Sequence, residues 1–286
     1  VRPVLGLFEG VVSGAADGYA RMSGKSAANL LHLGPGLGNA FANIHNAKKA
    51  FSPMINIVGD HASYHLKHNA PLTSDLDGLA KSSSDWVKRV SSPEQITQCA
   101  NDAWKAANES PGNIATLVVP ADYAWSDIQS DIPKKVELNN LKSVDNKLIE
   151  AAYKLLLKPN SMLYLGGKFL DEECLKFAAQ IATKTGCRLV TDTFVSRIRR
   201  GAGLPIVQQV PYFSEMAEDF LQGTESIVFI GTKPPVSFFA YPDKKSFLSP
   251  DKAELFELCS VEENGYEALA LLSELSGSPK IANELI

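Results

Sequence analysis

Short apolar runs alternate with stretches of helical period from one end of this chain to the other, and few folds accommodate that order. A strand that is followed by a helix and then a second strand returns most readily as a parallel neighbour, with the helix covering the sheet. The run Ile114-Ala115-Thr116-Leu117-Val118-Val119 is almost continuously apolar, as a strand buried on both faces requires. In the first half, strands are predicted over residues 3–7, 27–31, 54–58, 84–90 and 114–119, and helices over 10–22, 38–50, 75–81 and 93–109. The last of these opens Ser92-Pro93-Glu94-Gln95, with proline at the first helical position. Residues 120–143 show no period and contain Pro133, Lys134 and Lys135, which reads as an extended linker. Beyond it, helices are predicted over 144–157, 172–185, 214–221 and 264–275, and strands over 162–165, 188–191, 227–230 and 255–258. The expected fold class is α/β: two doubly wound, mostly parallel sheet domains over residues 1–130 and 144–286, joined by a linker over 131–143.

At 286 residues the chain is long enough for two such domains. Its net charge of −4 is spread among interspersed acids and bases, which argues against a nucleic-acid-binding face. The longest apolar runs are far too short to span a bilayer, so no membrane partner is expected. The four cysteines, Cys99, Cys174, Cys187 and Cys259, lack CxxC spacing. They read as free thiols of a cytoplasmic protein, with no metal site expected. Val1-Arg2-Pro3 and Ser278-Pro279-Lys280 read as places where a longer sequence has been cut.

Two motifs carry chemistry. The first is Leu7-Phe8-Glu9-Gly10-Val11-Val12-Ser13-Gly14-Ala15-Ala16-Asp17-Gly18-Tyr19-Ala20-Arg21, one carboxylate at the mouth of a small-residue helix. The second is Leu31-His32-Leu33-Gly34-Pro35-Gly36-Leu37-Gly38-Asn39-Ala40. Taken singly, an acid at a helix start favours the macrodipole, and a histidine at a strand end is commonly just hydrogen-bonded. The G-x-G-x-G spacing is not the G-x-G-x-x-G of a dinucleotide loop. Together the two motifs resemble the pyrimidine-binding domain of thiamine-diphosphate-dependent enzymes, most of all the acetolactate synthases. That resemblance implies that Glu9 hydrogen-bonds the cofactor aminopyrimidine and promotes proton loss from its thiazolium, so that a 2-keto acid can be attacked and decarboxylated. It also implies that Gly34, Pro35, Gly36 and Asn39 border the cofactor. His32 stands where the related benzoylformate decarboxylases carry an active-site histidine, which would shuttle protons or orient the substrate carboxylate. A domain of this kind that opens directly on residues 3–7 lacks its first strand.

The remaining histidines are less specific. His45 falls inside a predicted helix, and His61, His65 and His68 follow Val58-Gly59-Asp60 in a polar loop that shapes substrate entry or, less readily, holds a metal. Asp75 is a candidate helix cap. No Gly-Asp-Gly occurs, so magnesium and the cofactor diphosphate are expected to be held outside this chain. Residues from 144 resemble the family's middle domain, which in acetolactate synthases can hold FAD. Here Gly231-Thr232-Lys233-Pro234-Pro235 replaces the expected arginine-rich run, so FAD is not expected. The resemblance implies a homodimer or homotetramer acting on a small 2-keto acid by decarboxylation and carboligation, with this chain alone inactive. A simple decarboxylase using His32, and a non-catalytic nucleotide-binding or regulatory module, are the alternatives.

Overall fold

The computed structural model describes residues 2–129 and 136–277, so Pro133, Lys134 and Lys135 of the expected linker and the 278–283 stretch lie outside the described residues. The chain divides into two compact units, residues 1–140 and 141–286.

In the first unit the elements run α1 (Glu9–Ser23), β1 (Ala27–His32), α2 (Leu33–Lys49), β2 (Met54–Asp60), α3 (Leu76–Ser83), β3 (Trp86–Arg89), α4 (Ile96–Asn108), β4 (Ile114–Pro120) and α5 (Ala121–Trp125). The four strands form one parallel sheet in the order β1-β2-β4-β3. Leu31, Met54, Val58, Ile114 and Val118 point to one face, where α1, α2 and α3 close a core with Ala16, Leu37, Ala40, Ile44, Leu76 and Ala80. On the other face Cys99, Ala103 and Ala107 of α4 pack against Ala115 and Leu117. A polar rung crosses the first of these cores: Asn29 donates to Asn56 at 3.0 Å, Asn56 to Thr116 at 3.2 Å, and Thr116 meets Ser84 at 2.7 Å. Asn29, Asn56 and Thr116 are register partners across three strands. A one-residue slip would leave these buried groups unpaired, so the rung fixes the register.

The second unit repeats the design with α6 (Asn146–Leu156), β5 (Ser161–Leu165), α7 (Glu172–Thr185), β6 (Arg188–Thr191), β7 (Gln208–Gln209), α8 (Ser214–Leu221), β8 (Ser226–Ile230), β9 (Glu254–Cys259) and α9 (Gly265–Ser276). Its parallel sheet has the order β7-β6-β5-β8-β9. Leu163 and Leu165 face α6, α7 and α9, whereas Met162 and Tyr164 face α8. Both β5 and β8 are buried at every position, which is why they read as unbroken apolar runs.

Three local expectations are corrected. Residues 3–7 form no strand, and Val4, Leu5 and Leu7 are 77%, 88% and 96% exposed: no ladder partner lies beside them to reward an extended pairing. Helix α2 begins at Leu33, five residues before the predicted start, so Gly34, Pro35 and Gly36 are its first turn and not a loop. Proline is tolerated there because the first-turn amides have no intrahelical acceptor. Pro93–Gln95 forms a separate 3₁₀ turn ahead of α4, and α5 lies in a stretch too short to show a period.

β1 is flanked on one side alone among the described strands, and its outward Leu30 is 77% exposed.

Candidate active site

Small residues bring α1 and α2 close together. Ser13 is fully buried, and its hydroxyl donates back to the Glu9 carbonyl at 2.8 Å. From α2, the Asn43 amide donates to the Gly10 carbonyl at 2.6 Å, and Gly14 lies against Asn43. Asp17 and Arg21, one turn apart, close α1 with a two-pronged ion pair at 2.8 Å. Gly18, by contrast, has nothing within 4 Å of where a Cβ would stand.

This packing fixes Glu9 at the first position of α1, beside α2. Its Oε2 accepts from Asn39 Nδ2 at 3.0 Å. Its Oε1 lies beside Gly36, where a Cβ would stand only 3.3 Å away. A side chain at 36 would crowd that oxygen, whereas glycine leaves it open to a ligand atom. The Asn39 amide holds the Glu9 carboxyl below the usual carboxylate range; the helix-start backbone N–H and the nearby His32 add to this, and partial desolvation opposes it. The Asn39→Ala variant is therefore expected to titrate Glu9 at higher pH, toward the ordinary glutamate range. Carboxyl ¹³C NMR titration measures this, and an unmoved midpoint would remove Asn39 as the main cause.

His32 ends β1, exposed, in register with Gly59 on β2. Leu33 follows at φ 53°, in the left-handed region that costs a non-glycine residue about 1–2 kcal/mol. That turn swings the chain from strand to helix and brings Gly36 next to the His32 Cβ. Glu9, His32, Gly36 and Asn39 thus gather in one place. Gly34 is buried instead against Ser74, whose side chain a Cβ would overlap, and Pro35 is exposed. His45 is exposed on α2 beside Asn46. Asp75 caps α3 by accepting from the Gly78 amide at 2.9 Å. The sequence reading missed Asn43 and the left-handed Leu33; the i, i+4 spacing of Asn39 and Asn43, which puts both on the α1 side of α2, was a usable signal for the first.

In the second unit the sheet order reverses between β5 and β8, where doubly wound sheets hold ligands beyond the strand ends. That crevice is filled from within. Phe169, 2% exposed, lies over Gly231 and Gly265, where a Cβ at 265 would stand 2.6 Å from the ring. A Cβ on Gly166 would stand 2.5 Å from Thr232 Cβ. The start of α7 is capped by Asp171, which accepts from the Cys174 amide at 2.9 Å, and Glu172 and Glu173 follow in its first turn. Three acids there repel a phosphate. Asp192, at the end of β6, accepts from Tyr164 at 3.0 Å and Thr232 at 2.7 Å; burial pushes its carboxyl up, and the two hydroxyls oppose that.

Comparison with known proteins agrees with the first unit's geometry. Residues 1–80 match the family described as the thiamine pyrophosphate enzyme, N-terminal TPP binding domain. The chain is related to a Mycobacterium tuberculosis protein provisionally named acetolactate synthase large subunit IlvX, at 43% identity over 278 residues. That match takes in 96% of this chain and 52% of the relative, so the chain spans about half of that protein's length. Benzoylformate decarboxylase of Pseudomonas aeruginosa is 30% identical over 122 residues, 42% of this chain and 23% of the decarboxylase. In fold the chain is similar to a thiamine diphosphate-dependent 4-hydroxybenzoylformate decarboxylase of Rhodococcus jostii RHA1, with a TM-score of 0.82, 20% identity, and coverage of 98% of this chain and 57% of that one.

Proposed function

We propose that this chain supplies the cofactor-activating part of a thiamine-diphosphate-dependent enzyme that decarboxylates a 2-keto acid and ligates the product, in the manner of the acetolactate synthases. The observation that carries the reading is the Glu9 carboxylate, held through one oxygen by Asn39 and open at the other beside Gly36. When bound, thiamine diphosphate supplies a thiazolium that accepts the electrons released by decarboxylation. Glu9 Oε1 would be the atom that shares a proton with a ring nitrogen of the aminopyrimidine. Asn39 keeps Oε2 occupied, so that the carboxyl stays ionised and oriented until the ring arrives. Gly36 would leave room for the ring edge, and His32, exposed at the end of β1, would exchange a proton with the substrate.

Magnesium and the diphosphate are held by residues other than these. FAD is left out of this reading, which is supported by Phe169 packing over Gly231 and Gly265 and by Asp171, Glu172 and Glu173 at the start of α7. All four cysteines are buried and free, as suits the cytoplasm, and no described helix is long and apolar enough to cross a membrane. The working assembly is a homodimer or homotetramer.

A simple decarboxylase is the second reading, favoured by His32 standing within electrostatic reach of Glu9. Incubating the full-length protein with a panel of mono- and dianionic 2-keto acids, thiamine diphosphate and magnesium separates the two. A carboligation product is expected; the aldehyde alone supports the decarboxylase, and no turnover of any 2-keto acid overturns both.

A further inference from the structure

Four of the five histidines of this chain lie toward one end of the first sheet, and three of them are not used by the chemistry above. His61, His65 and His68 form a row in which neighbouring ring centroids are 5.5 and 5.6 Å apart. The loop that carries them is anchored at both ends beside the candidate site. It leaves β2 two residues after Gly59, the register partner of His32, and it ends at Ser74, which packs on Gly34 in the first turn of α2. Strand spacing and rise place the His61 and His32 backbones about 8 Å apart.

The loop is also one-sided in charge. From His61 to Ser74 it holds three histidines and Lys67, with no aspartate or glutamate. The two carboxylates that reach it are engaged: Asp60 pairs with Arg89 and accepts the His61 amide at 2.7 Å, and Asp122 accepts the Ser63 amide at 2.8 Å and its hydroxyl at 2.6 Å. His61 Nε2 is excluded from solvent and has no hydrogen-bond partner, so this ring nitrogen is not engaged by the protein. A metal is not the match, since among the described residues no three His, Cys, Asp or Glu side chains are placed to hold one. Imidazole N–H groups in a row beside a lysine suit an anion instead.

We propose that the His61, His65 and His68 row, with Lys67, binds a second anionic group of the substrate, so that the enzyme takes a 2-keto acid carrying two negative charges rather than a monoanion such as pyruvate. This rests on the reading of Glu9 and His32 as the cofactor-side site. A single carboxylate next to the keto carbon is too short to touch both His32 and a row that starts about 8 Å away and runs onward. A keto acid with an anionic group a few carbons further along can span them.

The test reads binding on the 286-residue chain without thiamine diphosphate. Histidine Cε1–Hε1 signals are followed by ¹H–¹³C NMR at pH 7 and constant ionic strength, with 2-oxoglutarate and pyruvate as probes. Saturable shifts of His61, His65 and His68 are expected with 2-oxoglutarate, at a Kd at least tenfold below that for pyruvate, while His45 stays still. The double variant His65→Gln/His68→Gln spares the half-buried His61 ring, so the loop keeps its anchor; it should bring the two Kd values within twofold. Equal affinities in the parent, absent shifts, or a preference undiminished in the double variant would overturn the proposal. The Glu9→Gln variant should keep the full preference. A failure of Glu9 to matter in turnover, with this preference intact, would then indict the reading of the cofactor site and not the histidine row.

Discussion

Replacing Glu9 with glutamine in the full-length protein is expected to lower kcat/KM for its 2-keto acid by about 10²- to 10⁴-fold, the usual range for removing a positioned acid–base group. Glutamine preserves the length of the side chain and can still accept from Asn39, so the geometry at Oε2 survives. What it removes is the proton-accepting oxygen left open beside Gly36, where an amide NH2 would stand instead. Because the Glu9 side chain lies at the helix start and not in the core, the variant should fold like its parent. Circular dichroism and turnover measured side by side decide the matter. Near-parental turnover in a folded variant would take Glu9 out of the mechanism, and with it the main support for a thiamine-dependent reaction.

The second large effect concerns stability. Phe169→Ala should cost the second unit about 3–5 kcal/mol, the range seen when a fully buried phenylalanine is truncated. The ring is not one core residue among many: it closes the gap left by Gly231 and Gly265 and joins the core built by α6, α7 and α9. Gly231 sits at φ 67° and Gly265 opens α9, so neither backbone can readily move in to fill the void. Urea unfolding monitored on the second unit gives the value. A loss under about 1 kcal/mol would mean that the crevice collapses without its plug, and that Phe169 is not what keeps a dinucleotide out. Phe169→Leu, which keeps most of the volume, should cost less than about 1.5 kcal/mol.

Much of this fold was legible from sequence because strands β4, β5 and β8 are buried on both faces. Runs such as Ser161–Leu165 and Ser226–Ile230 have no alternation to misread, and the helices between them carry clear apolar stripes. What failed did so for identifiable reasons. Residues 3–7 look like a strand because propensity is local, but a strand forms only where a ladder accepts it. The glycines and proline at 34–36 look like a loop because composition says so. Leu33 turns instead through a left-handed conformation that nothing in its side chain announces, and the helix starts at once. Glu9, His32, Gly36 and Asn39 could be named from their motifs, yet their division of labour could not. Which carboxylate oxygen is held and which is open depends on how α1 lies against α2, and that depends on Ser13 and Asn43. Phe169 carried no motif at all, and its part in closing a crevice emerges only from the glycines it touches.

The unflanked side of β1 has a consequence for how this chain behaves in a crowded solution. Its outer row of amides and carbonyls is a ready template, and Leu30 adds a greasy handle where soluble sheets usually place a lysine or a proline. Any extended segment, from a second copy or from an unrelated polypeptide, can be recruited there. The liability for aggregation therefore sits on the six residues of β1, at the rim of the first sheet.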